Sequence, residues 1–300
     1  MRQLVCLFGI VALTACATEN GLDRAMLGRW DGNIEGEESY PLWFELTERD
    51  GELAGRLQPR SGHTLTLSRV EASGDTLEMA VEGASYRGTF DGESWSGTGA
   101  KDGASFTWTA VRAPELPAPT DPSWGEPVGL FNGEDLSGWI PRSLDHPNQW
   151  KAEDGVLVNE ASGSDLLTQA KFGDFELHIE VNVPEGSNSG IYLRARHEVQ
   201  VQDDYGKAIS NVRMGAVYGQ ITPSSNAALP ADEWQSFDIT LLGRFVTVVL
   251  NGETIIEDQE IPGITGGALD ANEGEPGPIL LQGDHGRILY RNIVLTPAVP

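Results

Sequence analysis

From Asp174 to Val183 apolar and polar residues alternate without a slip. Phe175, Leu177, Ile179, Val181 and Val183 fall on one side, Glu176, His178, Glu180 and Asn182 on the other. A repeat of two residues is the period of a β-strand with one face in a core and one in water; a helix of 3.6 residues per turn does not reproduce it. Such a strand leaves N–H and C=O groups along both edges and so obliges the chain to supply partners. Phe237–Leu242 and Phe245–Leu250 follow as further strands. Asn251-Gly252 offers the two left-handed residues of a tight hairpin into Glu253–Glu257, and Arg287–Thr296 forms a last strand. Helical periodicity is scarce. The expected fold class is therefore all-β, and this many strands over residues 128–297 predict a two-sheet jelly roll.

An earlier block, residues 24–112, reads as short strands at Pro41–Leu46, Leu53–Leu57, Thr76–Val81 and Ser105–Val111, with turns at Asp50-Gly51, Gly74-Asp75 and Asp91-Gly92. Spacing of about ten residues predicts an antiparallel meander closing into a small β barrel or sandwich. Its glycine and aromatic pattern, Gly28 to Gly32 and Gly88 to Gly99, resembles that of small lipocalin-like β modules. His63, the only histidine of this block, is expected on a loop without a functional role. Pro114, Pro117, Pro119, Pro122 and Pro127 mark residues 113–127 as a stiff, extended linker.

Residues 1–16 are expected to be a targeting signal. Arg2 precedes an apolar run from Leu4 to Leu13, too short to span a bilayer, which ends in Leu13-Thr14-Ala15-Cys16. The pattern resembles a bacterial lipoprotein signal, which implies lipidation of Cys16. With Ala17 after the cysteine, it also implies an outer-membrane anchor, facing the periplasm or exported to the surface. Cys6 leaves with the signal, so no disulfide is expected. The chain carries 45 acidic against 20 basic residues, a net charge of −25. That balance repels phosphate backbones and anionic lipids, so the expected partners exclude nucleic acid, and the membrane is met through the lipid alone.

Two stretches carry candidate chemistry. Taken as one strand direction, residues 188–203 put Tyr192, Arg194, Arg196, Glu198, Gln200 and Gln202 on one face. Such a ladder can fork onto sugar hydroxyls and a carbonyl, or be a solvated face with cross-strand ion pairs. Gly283-Asp284-His285-Gly286 places a histidine beside a carboxylate at a strand end, an acid or base candidate.

A series of blocks then carries a specific resemblance. Leu130–Trp139, Trp150 with Asp154–Leu157, Gly173–Leu177 and Asn188–Arg194 come first. Glu198–Asp203, Gly215–Gly219, Glu233-Trp234, Leu250–Gly252, and Leu281–Gly286 with Tyr290–Ile293 follow in order. Over residues 128–297 the chain resembles the 3-keto-disaccharide hydrolase family, also described as 3-keto-glucoside 1,2-lyase/hydratase. The resemblance implies a concanavalin A-like jelly roll and cleavage of 3-keto-glucosides. The ketone at carbon 3 acidifies the hydrogen on carbon 2, a base removes it, the oxygen on carbon 1 leaves, and water adds back. It implies Glu198 and His285 as base and acid in either order, with Arg194 beside them. Gln200, Tyr218, Gln282, Arg291 and Asn188 would bind the sugar. A separate sugar 3-oxidoreductase would supply the ketone. The interval between Arg194 and Glu198 is shorter than the family pattern leads one to expect.

A divalent metal (Mn, Ca or Zn) on Asp203 and Asp284, with Glu198 and His285 near, is an open expectation. The acidic turn Asp270–Pro276 reads as a solvated loop or a calcium site. Two other functions stay open. One is an ordinary glycoside hydrolase using Glu198 and Asp203 as paired carboxylates. The other is a non-catalytic carbohydrate-binding module with Trp139, Trp150 and Trp234 as stacking platforms.

Overall fold

The computed structural model describes residues 24–299; the signal segment and Cys16 lie outside the described residues. After a short 3-10 turn at Arg24–Met26 come β1 (Gly28–Glu35), β2 (Tyr40–Arg49), β3 (Glu52–Gln58), β4 (Leu65–Thr66) and β5 (Arg69–Ser73). Then follow β6 (Thr76–Val81), β7 (Ala84–Phe90), β8 (Ser94–Lys101) and β9 (Ala104–Arg112). Successive strands pair antiparallel except at β4 and β5, and β1 pairs with β9, so the meander closes on itself. At the seam Leu67 N–H donates to Gly55 O and Ser68 N–H to Ala80 O. The interior is filled by Trp30, Phe44, Phe90, Trp95 and Trp108, with ring centroids 4.9 Å apart for Phe90 and Trp95 and 5.8 Å for Phe44 and Trp108. Gly88 and Gly97 face the Trp108 ring so closely that no Cβ fits. The barrel centre around Trp30, Trp95 and Trp108 is thus a packed aromatic core.

The second part comprises β10 (Ser123–Trp124), β11 (Val128–Gly129), β12 (Trp139–Pro141), β13 (Trp150–Glu153), β14 (Val156–Asn159), β15 (Leu166–Thr168) and β16 (Phe175–Asn182). These are followed by β17 (Asn188–Leu193), β18 (His197–Gln202), β19 (Trp234–Leu242), β20 (Phe245–Leu250), β21 (Glu253–Glu260), β22 (Leu280–Leu281) and β23 (Ile288–Val299). One sheet runs β13-β14-β23-β16-β19-β20-β21, with β10 and β11 also on β23; the other runs β12-β15-β22-β17-β18. This is the two-sheet jelly roll that the alternation predicts. Phe175, Leu177, Ile179 and Val181 of the first sheet share a core with Ile191, Leu193, Val199, Val201 and Leu281 of the second. At the β20–β21 hairpin Asn251 and Gly252 take φ of 52° and 81°, the left-handed pair that a two-residue turn requires.

One expectation is corrected here and two gain detail. Trp139 and Trp150 are core residues whose indole N–H groups donate to Leu130 O (2.7 Å) and Ser164 O (2.9 Å), and Trp234 carries the Arg291 guanidinium 4.0 Å from its ring. They are not a stacking platform for sugar. The acidic turn is solvated along Asn272, Gly274, Glu275 and Pro276, but two of its carboxylates are engaged: Asp270 takes Arg196 Nε at 2.6 Å, and Glu273, fully buried, forms an ion pair with Arg244. The proline-rich segment is extended but not free, because Pro114 O and Leu116 O accept hydrogen bonds from Arg244 and β10 joins β23.

The barrel sits directly on the jelly roll. Trp43 packs with Ile264 and Ala268, and Gly263 lies against its ring with no space for a Cβ. Arg29 pairs with Glu260 at 2.6 Å, Gly267 N–H donates to Arg60 O at 2.9 Å, and Gln220 Nε2 donates to Thr64 Oγ1 at 2.7 Å.

Candidate active site

The hairpin of β17 and β18 builds the site. Its register pairs Tyr192 with Glu198, Gly190 with Gln200 and Asn188 with Gln202, so these residues share the face opposite the core. The continuous strand expected across residues 188–203 is therefore folded back on itself. Arg194, Ala195 and Arg196 form the turn, with Arg194 and Ala195 at φ of 52° and 55°. A turn takes its side chains off the sheet face. Arg194 lies buried on Asp174 and on the carbonyls of Gly243 and Glu273, and Arg196 lies on Asp270 and Glu275 O. Arg194 is thus an internal strut, not a group beside Glu198.

Arg291 and Asp203 also lie elsewhere. Arg291 binds Glu180 at 2.6 Å on the other sheet, because β23 belongs there. Asp203 Oδ2 accepts the Gly186 N–H at 3.0 Å, capping a turn. A Glu198–Asp203 carboxylate pair of the glycosidase kind is not formed across one cavity.

The remaining candidates do come together. Asn188, Tyr192, Glu198, Gln200, Tyr218, Gln282, Asp284 and His285 line a cavity of about 170 Å³, joined by Gly266, Gly267 and, from the barrel, Ser61 and Gly62. That volume lies below the roughly 300–1,000 Å³ of drug-sized ligand pockets and suits a single sugar ring. A larger cleft of about 770 Å³ lies on the barrel, but Arg69 and Arg87 line it as exposed partners of Glu78, and no buried carboxylate or imidazole faces it. The chemistry collects in the smaller one.

Glu198 is 4% exposed. Burial pushes its carboxyl up to about 8, partly opposed by the Tyr192 hydrogen bond and helped by the negative charges of Asp284 and Asp165. Tyr192 Oη stands 2.9 Å from Glu198 Oε2 and 2.9 Å from Gly266 O. One hydroxyl proton cannot serve two acceptors, but a protonated Glu198 donates to Tyr192 while Tyr192 donates to Gly266 O. The geometry fits the neutral acid. A side chain in place of Gly190 would stand 2.9 Å from Glu198 Cδ and push the carboxyl from the position it holds. His285, half exposed, rests with Nδ1 on Asp284 Oδ1, and that hydrogen bond raises the imidazole above its ordinary value.

Two residues of this constellation take roles that depend on contacts distant in sequence. Asp165 accepts Gly283 N–H at 3.0 Å and Arg142 Nη1 at 3.2 Å, bracing the loop that bears Asp284 and His285. Tyr192 falls on the correct face by alternation, yet its bond to Glu198 depends on the hairpin register. Among the described residues no group of three or more His, Cys, Asp or Glu side chains converges as a metal site. Of the two aspartates named for a divalent ion, Asp284 lines the cavity and Asp203 does not.

Residues 126–296 match the model of the 3-keto-alpha-glucoside-1,2-lyase-like domain. The chain belongs to this family. A 3-keto-disaccharide hydrolase of Bacteroides thetaiotaomicron is 28% identical over 109 residues, which are 33% of this chain and 38% of the relative. Two solved structures from Parabacteroides distasonis, provisionally named glycosyl hydrolases, are 31% and 24% identical. They cover 60% and 57% of this chain and 92% and 98% of their own, with TM-scores of 0.49 and 0.46. The 3-keto-alpha-glucoside-1,2-lyase-like domain contains every cavity residue from Asn188 to His285, while Ser61 and Gly62 belong to the barrel that precedes it.

Proposed function

We propose that this protein cleaves 3-keto-glucosides and 3-keto-disaccharides by removing the proton on carbon 2, eliminating the aglycone and hydrating the product, a net hydrolysis. One observation carries the reading. Two proton-carrying groups, Glu198 and His285, face the same small cavity in environments that suit them to opposite tasks. His285, its Nδ1 held by Asp284, takes the carbon 2 proton on Nε2. The C–H electron pair becomes the enediolate of carbons 2 and 3. Its collapse forms the carbon 1–carbon 2 double bond and breaks the bond to the glycosidic oxygen, which receives the Glu198 proton.

Hydration then runs the roles in reverse: the Glu198 carboxylate takes a proton from water as the hydroxyl joins carbon 1, and His285 returns its proton to carbon 2. Asn188, Gln200 and Tyr218 supply hydrogen bonds to the sugar. Gln282 Oε1, a buried acceptor without a donor, suits a sugar hydroxyl. No step uses a metal. The ketone must come from an oxidoreductase acting on carbon 3, and Cys16 supports a lipid-anchored envelope location.

The test follows products by NMR in heavy water, with a 3-keto-glucoside and its unoxidised parent side by side. Cleavage of the keto sugar alone, with deuterium at carbon 2 above the enzyme-free control, is expected. Cleavage of the parent without deuterium entry overturns the elimination route.

The pH dependence has a definite sign. As base, His285 works only when deprotonated, so kcat/KM rises with pH through an imidazole pKa above the ordinary 6.5. As acid, Glu198 works only when protonated, so the rate falls again near 8. The expected profile is a narrow bell, read from kcat/KM between pH 5 and 10.

A further inference from the structure

The barrel reaches into the site, and that contact assigns it a role in substrate selection. Its segment between β3 and β4 is fixed at both ends and in the middle. Gln58 Nε2 donates to Pro59 O and Gly62 O, each at 2.9 Å, and Thr64 Oγ1 donates to Gln58 Oε1 at 2.8 Å. Gln58 is itself buried, so the segment is braced from inside the barrel.

The jelly roll has a matching seat. A Cβ on Gly266 would stand 2.8 Å from Gly62 N, and one on Gly219 would stand 2.8 Å from His63 Cα. At both positions backbone lies on backbone, a closeness that glycine alone allows, and Gly219 in addition has φ of 71°. Gly219 follows the cavity residue Tyr218, and Gly266 supplies the carbonyl that accepts from Tyr192, whose hydroxyl also meets Glu198. Arg142 holds the seat from the far side through Gly267 O at 2.7 Å.

We infer that the barrel segment around Ser61 and Gly62 is a specificity wall of the active site, closing an otherwise open sheet face into a pocket for one terminal keto-sugar ring and excluding internal units of a polymer. The inference rests on the reading of the site as one for 3-keto-glucosides. It gives the barrel a function that the family-matched domain alone lacks. The aglycone leaves through the side not covered by the segment, so substrates with short aglycones fit and chains continuing from both sides of the ring do not.

The test uses the full chain and one probe, methyl 3-keto-glucoside. Binding is followed by calorimetry and turnover by NMR, for the unsubstituted protein and Ser61→Trp. A large side chain on the wall fills ring space, so S61W is expected to weaken Kd and raise KM at least tenfold with kcat within about threefold. Kd and KM both within twofold of the unsubstituted protein overturn the inference. Ser61 is exposed at a turn, and if S61W fails to fold by circular dichroism, Ser61→Leu carries the same test with the same criteria. Binding that S61W weakens, without any turnover by the unsubstituted protein, keeps the wall and overturns the proposed reaction; normal turnover that S61W leaves untouched does the reverse.

Discussion

Glu198→Gln is expected to lower kcat on a 3-keto-glucoside by about 10²–10⁴-fold, the range for losing a general acid, with the fold retained. Glutamine keeps the shape and can donate to Tyr192, but it has no proton to deliver to the leaving oxygen. The same substitution changes how stability depends on pH, and the sign follows from linkage. The folded-state carboxyl is raised from 4.5 to about 8, so the native protein binds this proton more tightly than the unfolded chain. Its stabilising effect is complete below 4.5 and is lost as pH climbs to 8. The unsubstituted protein should therefore lose stability across that window by an amount on the order of several kcal/mol, and E198Q should not. Asp31, also raised by burial, to about 7, acts in both proteins and cancels. Urea titrations of both at pH 5 and pH 9 check this: the two curves should lie furthest apart at pH 9, with E198Q the more stable. Equal midpoints there would show that Glu198 is not held neutral.

Glu273→Ala is the second large effect, and it acts on stability alone. Glu273 is fully buried and Arg244 is 1% exposed, with the carboxylate against Arg244 Nη1 as an ion pair without an aligned hydrogen bond. Burial already pulls the Arg244 guanidinium down to about 10. Removing the carboxylate leaves a buried cation beside the linker and strand β1, for which a loss of about 3–5 kcal/mol is typical. Denaturant titration should show it. Converting both partners, Glu273→Leu with Arg244→Met, should recover most of the loss, because two apolar groups leave no charge unpaired. A single variant as stable as the original chain would mean that Arg244 finds another acceptor, Asp31 being the candidate.

How far the sequence could be read depended on whether a feature was local. The alternation of Asp174–Val183 and the Asn251-Gly252 turn are complete within a few residues, and each appears in the fold as β16 and the β20–β21 hairpin. The face carrying Tyr192, Glu198 and Gln200 was also legible, because period-two alternation survives a hairpin whose turn keeps the register even. Arg194 and Arg196 were not, since parity cannot distinguish a strand residue from the turn that interrupts it. Arg291 and Asp203 failed for a different reason. Their strand and loop positions were readable, but which sheet a strand joins is fixed by long-range pairing such as β23 with β16. Ser61 and Gly62 belong to an exposed, glycine-containing loop with no chemical signature of its own; only the docking of one fold on another gives them a place.

Strand β23 carries a consequence for how the chain is made. Its residues Ile288–Val299 pair with β14, β16, β10 and β11, making it a middle strand of its sheet. The barrel needs nothing beyond Arg112 to close its ladder and can form while the ribosome is still working. The jelly roll cannot. Until the last of these residues has emerged, β14 and β16 hold open edges that invite pairing with other chains, so synthesis is a period of exposure that a holding chaperone would shorten. A stop codon before residue 288 would leave the barrel soundly folded on an unfinished, aggregation-prone sheet.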